Sequence, residues 1–225
     1  MICKVIDLGI VGFNEAYSFQ KEALSLVKEH RKSQYLIFAQ HNPVFTIGRL
    51  GKEGNILVGR DRLNSLGADI IKTDRGGDIT FHGLGQIVVY PIFDLAKHCK
   101  DMHKFLRGLE DVIILTLSDY GIDSFRIKGR TGCWTGRGKI ASIGIAASNW
   151  ITYHGLSLNA NVDLSYFDLI NPCGFNNIRV TSMKELLENE VDLAGLKERL
   201  IESFNSLFGM SFERPCVERR LSNIL

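Results

Sequence analysis

The sequence predicts an α/β (α+β) fold, a mixed β-sheet with flanking helices on one or both faces. Two observations support this class. Amphipathic segments with helical spacing are mixed with short runs rich in β-branched and aromatic residues, without a strict strand-helix-strand rhythm. The chain has 225 residues, 45% apolar and 23% charged, which suffices for one sizeable core. We therefore expect a single domain over residues 1–225, in which a small helical portion begins at about residue 180.

The first half of the chain is predicted to be mostly strands after one long helix. This helix is expected to begin at an N-cap, Asn14, and to present an apolar face as far as Val27. A short helix is expected to end near Gly67. Strands are predicted over residues 35–40, 44–48, 69–73 and 87–93.

The second half adds three helices and three strands. A core helix is predicted over 102–120, ending at Gly121, and the last helix is predicted to end at Gly209. Between them, Ser182 and Glu185 have the spacing of a capping box before a short helix. Strands are predicted over residues 125–128, 140–148 and 156–162.

Charge and cysteine content exclude several classes of protein. The formal net charge is only +2, which gives no overall electrostatic reason to expect nucleic acid as a partner. Five cysteines without a CxxC pair form a poor disulfide framework and indicate a reducing compartment. Lys4 and Asp7 interrupt the apolar run that a signal peptide would need, and no run is long enough to cross a bilayer. We therefore expect a cytoplasmic protein with neither nucleic-acid nor membrane partners.

The glycine-rich segment RGGDITFHGLGQ, Arg75 to Gln86, is the first candidate binding site. Its glycines would let main-chain N–H groups approach a ligand, and Arg75 could pair with an anionic group through its forked guanidinium. The alternative is a β-hairpin whose arginine faces solvent. The patterns GxxxxGK[ST] and GxGxxG are both absent, so no nucleotide-binding loop is predicted here.

Two histidines, His82 and His154, each precede a glycine. Either could serve as a general base, although a lone histidine more often hydrogen-bonds to neighbouring main chain. Neither has a partner at the spacing of a zinc site, so we expect no metal.

The pentapeptide NPCGF places Cys173 between a proline and a glycine. Such flanks describe a tight, open turn that exposes a thiol, although a plain turn with an incidental cysteine would look the same. Lys139 stands at the start of the strand predicted over 140–148. It is either a solvated edge charge or, if it faces Cys173, a cation that lowers the pKa of the thiol and exchanges a proton with it. The sequence does not show that the two residues meet.

Four segments in the same order resemble the lipoyl(octanoyl) transferases, which share a fold with lipoate- and biotin-protein ligases. They are HNPVFTIGR (41–49), RGGDITFHGLGQ, KIASIGIAASNWITYHGLSLN (139–159) and DLSYFDLINPCGF (163–175), and the resemblance covers residues 5–208. The chain departs from the family at Leu84, where proline is usual, and at Cys133, where an aliphatic residue is expected. The tail 212–225 has no counterpart that we can place.

The resemblance implies roles for individual residues. Cys173 would be the nucleophile that accepts the acyl group as a thioester, and Lys139 its acid/base partner, with His154 and the main-chain N–H of Gly174 in support. Two further strand segments would complete the walls of the substrate pocket that the glycine-rich segment begins. The implied substrate-binding residues are Arg75, Gly76, Gly77, Asp78, Ile79, Thr80, Phe81, His82, Ser142, Ile143, Gly144, Gly155, Leu156 and Ser157.

The resemblance also implies the reaction, which is the first step of endogenous protein lipoylation. An octanoyl group would pass from acyl carrier protein to a lysine of the lipoyl domains of 2-oxoacid dehydrogenases and of the glycine cleavage H protein. Because a thioester donor is already activated, neither ATP nor a metal is expected. The alternatives are an ATP-using lipoate-protein ligase, a lipoyl/octanoyl amidotransferase of the same fold, and a carrier-protein-binding module without turnover.

Overall fold

The computed structural model describes residues 2–30, 33–98, 100–171 and 178–216, and for residues 214–216 it describes the main chain only. These ranges contain five α-helices: α1 (Phe13–His30), α2 (Arg60–Ser65), α3 (Met102–Ser118), α4 (Met183–Leu187) and α5 (Leu193–Phe208). The strands of the first half are β1 (Ile2–Val11), β2 (Ser33–His41), β3 (Val44–Ile47), β4 (Asp69–Lys72), β5 (Ile79–His82) and β6 (Gln86–Ile92). Those of the second half are β7 (Phe125–Ile127), β8 (Arg130–Thr135), β9 (Gly138–Ser148), β10 (Ile151–Asn159) and β11 (Ser211–Cys216).

The strands form two sheets. The large sheet has eight strands in the order β11-β1-β2-β6-β10-β9-β8-β7, and the small one has three in the order β4-β3-β5. In the large sheet β1 runs parallel to both β2 and β11, and the other pairs are antiparallel. This mixed sheet with flanking helices confirms the predicted fold class.

The two faces of the large sheet are covered by different helices. On β6, Val89 belongs to the core that contains α3 and α5, whereas Val88 and Tyr90 belong to the core under α1. Successive side chains of a strand point to opposite faces, which explains why β6 is buried along its whole length without alternation of polar residues. Because α5 shares a core with α3, the helical portion after residue 180 is packed on the same sheet as the rest.

Several predicted elements differ from those observed. Helix α1 begins at Phe13, so Asn14 lies in its first turn and its prediction as N-cap is wrong. Strand β10 begins at Ile151, five residues before its predicted start. Strands β1, β5, β8 and β11 were not predicted as strands. Ser182 caps the short helix as expected, since its hydroxyl accepts a hydrogen bond from the Glu185 N–H at 3.2 Å. The Glu185 carboxylate accepts instead from the side chains of Arg179 and Thr181, so this half of the predicted capping box differs.

None of the helices within the described ranges has the length and apolar character needed to cross a membrane.

Candidate active site

A cavity of about 420 Å³ lies between the two sheets. Its floor belongs to the α1 face of the large sheet, where Val88, Ser157 and Ser142 stand opposite one another on β6, β10 and β9. Its other wall comes from β5 and the loop before it. The predicted site residues that line the cavity are Arg75, Gly77, Asp78, Ile79, Thr80, His82, Lys139, Ser142, Ile143, Gly144, His154, Gly155, Leu156 and Ser157.

Two predicted substrate-binding residues shape the wall from behind instead of lining it. The Phe81 ring points into the core of the small sheet, where it stacks on Tyr166 with centroids 4.4 Å apart. Gly76 pairs with β9, since its N–H donates to the Ile145 carbonyl at 3.0 Å. A Cβ on Gly76 would lie 3.2 Å from that oxygen, so the close approach of loop and strand favours glycine here.

The Arg75 guanidinium is buried and directed at protein oxygens. Its Nη2 donates to the carbonyl oxygens of Thr46 and Asp78 at 2.6 and 2.7 Å, and its Nε donates to the Thr46 hydroxyl at 3.1 Å. Nη1 donates to the carbonyl of Gly76 at 3.0 Å. The fork that was expected to take an anionic group therefore ties the glycine-rich loop to β3 in this structure.

Lys139 lies in the cavity wall at the start of β9. Its Nζ is 5.7 Å from the centroid of the Trp134 ring, in the range of a cation–π contact. Gly132, on the neighbouring strand, has a φ of 117°, and a Cβ there would lie 2.4 Å from the Ala141 carbonyl oxygen and 2.8 Å from Lys139 Cε. Glycine at this position thus lets β8 approach the main chain of β9 closely, next to the lysine.

The main chain of Lys139 is paired with the segment that follows NPCGF. The Lys139 N–H donates to the Arg179 carbonyl at 2.8 Å, and the Lys139 carbonyl accepts from the Thr181 N–H at 2.9 Å. Cys173 and Gly174 lie outside the described residues. Their described neighbours are held on both sides, because the Asn171 N–H donates to the Asn55 carbonyl at 2.7 Å and Ile178 lines the cavity.

Three histidines behind and along the cavity are buried and neutral. Burial lowers the pKa of His41 to about 4, that of His82 to about 3 and that of His154 to about 4. His41 Nδ1 donates to the Val11 carbonyl at 2.9 Å, and its Nε2 accepts from the Tyr90 hydroxyl at 2.6 Å. These bonds fix one tautomer of His41. His82 and His154 are fixed in the same way, because each faces an oxygen that can only accept, that of the Gln86 amide and that of the Asp74 carboxylate.

His154 forms part of a network centred on Asp74. Its Nε2 donates to the Asp74 carboxylate at 2.7 Å, and the hydroxyls of Tyr153 and Tyr17 donate to the same carboxylate at 2.5 and 3.1 Å. Burial alone would raise the pKa of Asp74, but the bonds from His154 and Tyr153 hold it well below its usual range. Asp74 thereby fastens the glycine-rich loop to α1 and β10.

The backbone at His154 and Gly155 explains why these two residues occur together. His154 has a φ of 55°, which a non-glycine residue adopts only when its surroundings hold it there. At Gly155 a Cβ would lie 2.0 Å from the Val89 carbonyl oxygen, so only glycine lets β10 approach β6 this closely. The irregularity turns His154 towards Asp74 and keeps the cavity floor open.

A buried carboxylate supports the wall that holds Lys139. Glu110 of α3 is fully buried, and it accepts hydrogen bonds from Arg107 at 2.6 Å and from Arg126 at 2.9 Å. Its other oxygen accepts the Gly132 N–H at 3.1 Å. This arrangement anchors β8 to α3 and so fixes the strand against which the lysine lies.

The second thiol near the site, Cys133, is inaccessible. It is fully buried, its Sγ donates to the Glu110 carbonyl at 3.4 Å, and burial raises its pKa to about 12. Cys3 is also fully buried, with its pKa raised by the same cause. Thiolates are the reactive form of cysteine, so neither thiol is suited to nucleophilic chemistry.

We expect iodoacetamide to leave Cys3 and Cys133 unmodified in the native protein at pH 8. Peptide mapping by mass spectrometry after a short reaction would check this, and the same reaction in 6 M guanidinium, where both thiols are exposed, is the control. Carbamidomethylation of Cys133 in the native sample would contradict the burial described above.

Several residues of the site were missed by sequence reasoning. Asp74 directly precedes the arginine of the glycine-rich segment, and Tyr90 is a polar residue in a buried strand, which are weak signals at best. Phe13, Leu50 and Arg130 line the cavity from elements distant in sequence, and nothing local indicated them. Within the described part of the chain, no cluster of three or more His, Cys, Asp or Glu side chains could hold a metal.

The chain matches the family model of the lipoyl protein ligase A/B catalytic domain over residues 13–205. It is 46% identical over 217 residues to an octanoyltransferase of Thermoanaerobacter sp. (strain X514), covering 96% of this chain and 94% of the relative. It is 42% identical to an octanoyltransferase of Christiangramia forsetii, covering 91% of this chain and 95% of the relative.

The fold resembles that of a lipoate-protein ligase A whose crystal structure was solved with bound ATP, with a TM-score of 0.79 at 17% identity. The similarity covers 99% of this chain and 92% of the ligase chain, and at this identity it concerns the fold alone. Both the family and the fold predicted from the four collinear segments are thus confirmed, and the chain belongs to the lipoyl protein ligase A/B catalytic domain family.

Proposed function

We propose that this chain is an octanoyltransferase, which moves an octanoyl group from acyl carrier protein to a lysine of a lipoyl domain through a thioester on Cys173. The observation that carries the proposal is the position of Lys139. It stands in the wall of the cavity, and its main chain pairs with the segment that follows the cysteine. The relatives named octanoyltransferases support the same reaction.

Chain connectivity limits how far Cys173 can be from the cavity. Ile178 lines the cavity and follows Cys173 by five residues. Five residues span at most about 17 Å when fully extended. This limit is compatible with the pairing of Cys173 and Lys139 that the proposal requires.

The proposed reaction consists of two acyl transfers. The Cys173 thiol gives its proton to Lys139 and attacks the thioester carbonyl, with the Gly174 N–H holding the oxyanion. The bond from the carbonyl carbon to the sulfur of the carrier arm breaks, and that sulfur takes the proton from Lys139. In the second transfer the lysine amine of the lipoyl domain attacks the Cys173 thioester. Lys139 accepts a proton from the amine, and the Cys173 sulfur leaves and is reprotonated.

The cavity suits a narrow acyl chain. Small residues, Ser142, Gly144, Gly155 and Ser157, form its floor, and Phe13, Val88 and Tyr90 add apolar surface. Burying each methylene of the acyl chain contributes about 0.8 kcal/mol. The histidines that border this surface are neutral, so they do not oppose an uncharged chain with buried charge.

We further propose that the reaction needs neither ATP nor a metal, because the thioester donor supplies the activation. The acceptors would be lipoyl domains of 2-oxoacid dehydrogenases and the glycine cleavage H protein, and the reaction would take place in the cytoplasm. Residues 1–225 would act as one catalytic domain, in which Arg179 and Thr181 pair with Lys139 at the start of β9.

Intact mass spectrometry after mixing the protein with octanoyl-carrier protein tests the proposal. We expect an octanoyl adduct that hydroxylamine removes and that Cys173→Ser either loses or makes resistant to hydroxylamine. If no adduct forms but ATP and octanoate together modify a lipoyl domain, the chain is a ligase. If an octanoylated lipoyl domain donates to Cys173 and carrier protein does not, it is an amidotransferase. Binding of carrier protein without any transfer would leave only the non-enzymatic alternative.

A further inference from the structure

A chain of hydrogen bonds leads from the cavity through three buried polar side chains. His82 Nδ1 donates to Gln86 Oε1 at 2.7 Å, and Gln86 Nε2 donates to Asn159 Oδ1 at 2.9 Å. Asn159 Nδ2 then donates to the Thr181 carbonyl at 3.0 Å. Asn159 is 4% exposed and Gln86 is 1% exposed, so water does not compete for these bonds.

The last bond of this chain reaches the segment that pairs with Lys139. The Thr181 N–H donates to the Lys139 carbonyl at 2.9 Å, while its carbonyl accepts from Asn159. Thr181 is therefore bonded to Lys139 through its N–H and to Asn159 through its carbonyl. Thr181 follows Cys173 by eight positions. Of the described main chain after the cysteine, the stretch from Arg179 to Thr181 is the first that pairs with β9.

The buried position of Asn159 suits an asparagine because both polar atoms of its amide form hydrogen bonds. It stands opposite Gln86 at the end of β10, and it shares the face of the strand that carries Ser157, whereas Leu158 belongs to the core on the opposite face. A buried amide that lacked either partner would be left with an unsatisfied polar atom, which is costly. Here the oxygen meets Gln86 and the nitrogen meets Thr181, so the residue joins the cavity floor to the segment after the cysteine.

We propose that Asn159 is a positioning residue for the reaction, because it fixes the Arg179–Thr181 segment relative to Lys139. The proposal rests on the proposed function, in which Lys139 and Cys173 work as a pair. Its loss would leave the Thr181 carbonyl without this donor, and a misplacement of about 1 Å in a catalytic site costs up to about 100-fold in rate. The bond to Thr181, and not the burial of Asn159 as such, carries this effect.

Asn161 provides a matched control two residues further along. Its Nδ2 donates to the Val191 carbonyl and its Oδ1 accepts the Val191 N–H, both at 2.9 Å. Asn161→Ala thus removes two hydrogen bonds of similar length, but from the segment that leads into α5. It should lower the free energy of unfolding without affecting Lys139.

The test compares Asn159→Ala with Asn161→Ala in three measurements: urea unfolding, the rate of octanoyl adduct formation at saturating octanoyl-carrier protein, and the pH midpoint of Cys173 alkylation. We expect both variants to lose stability, whereas only Asn159→Ala slows the saturated rate, by about 10- to 100-fold. Its alkylation midpoint should move to higher pH, and the carrier-protein concentration for half-saturation should stay within about threefold.

Asn159→Leu is close in volume and carries no polar group, so it cannot donate to Thr181 and brings no charge into the buried position. It should be as slow as Asn159→Ala, and it keeps the test valid if the alanine variant does not fold. Saturated rates of Asn159→Ala or Asn159→Leu within threefold of Asn161→Ala would overturn the positioning role. Absence of any adduct on the unmodified protein would instead refute the proposed function, so the two failures are distinguishable.

Discussion

Replacement of Lys139 by alanine should slow octanoyl adduct formation on Cys173 by about 10²- to 10⁴-fold, the range in which a positioned acid or base contributes. The lysine stands beside Trp134 in the cavity wall, with its Nζ 5.7 Å from the centroid of the ring. The loss of its cation should also move the pH midpoint of Cys173 alkylation upward, because the thiolate loses a nearby positive charge. Mass spectrometry of samples quenched at successive times would measure the rate of adduct formation. Iodoacetamide kinetics between pH 6 and 10 would measure the alkylation midpoint.

Two further variants separate the charge of Lys139 from its proton transfer. Lys139→Arg keeps a cation that cannot give up its proton, so it should retain much of the lowered alkylation midpoint and still be slow in acyl transfer. Lys72→Ala removes an exposed lysine that pairs with Glu53, and it should change neither quantity. Identical alkylation profiles for the unmodified protein and Lys139→Ala would refute the partnership.

Acidification from pH 7 to pH 5 should destabilise the protein by about 6 kcal/mol, or about 2 kcal/mol for each of three buried histidines. Burial lowers the pKa of His41 and His154 to about 4 and that of His82 to about 3. In the unfolded chain these residues titrate near 6.5, so between that pH and the folded values the unfolded state binds more protons. Stability therefore falls as the pH falls through this window, and it is fully present above about pH 7.

Urea unfolding followed by fluorescence at several pH values would measure the effect. The unfolding free energy should decrease most steeply near pH 5, and unfolding there should take up close to three protons from these residues. His30→Gln, which removes an exposed histidine, is the control and should leave the dependence unchanged. A free energy of unfolding that stays constant between pH 7 and pH 5 would contradict the neutral state of the buried histidines.

The local sequence pattern was sufficient to predict most of the helices and the family. It was not sufficient to predict the close packing of the site. The helix that ends at Gly209 and the helix start capped by Ser182 depend on neighbours in sequence, and both were predicted. Strand β8 was not predicted, and its Gly132 is needed because a Cβ there would lie 2.4 Å from the Ala141 carbonyl oxygen. That requirement comes from the adjacent strand β9, which single-sequence reasoning cannot see.

The charged and polar residues of the site also depend on strand pairing that the local sequence does not reveal. Arg75 was recognised as important, but its donors are directed at β3 and its own loop, an outcome that depends on the pairing of β3 with β5. Asn159 was noticed only as part of a family segment. Its role depends on Gln86, which the pairing of β6 with β10 brings opposite it, and on Thr181, which is paired with Lys139 of β9.

The pairing of β1 with β11 also affects how the protein is made. Ile2 lies opposite Ser211 in a parallel pair, so the two ends of the described chain are neighbours in the sheet. During synthesis the outer edge of β1 therefore keeps unpaired N–H and C=O groups until residues 211–216 have left the ribosome. A nascent chain in this state offers a strand edge to other molecules, and expression at low temperature or with a chaperone that masks such edges should raise the yield of correctly folded protein.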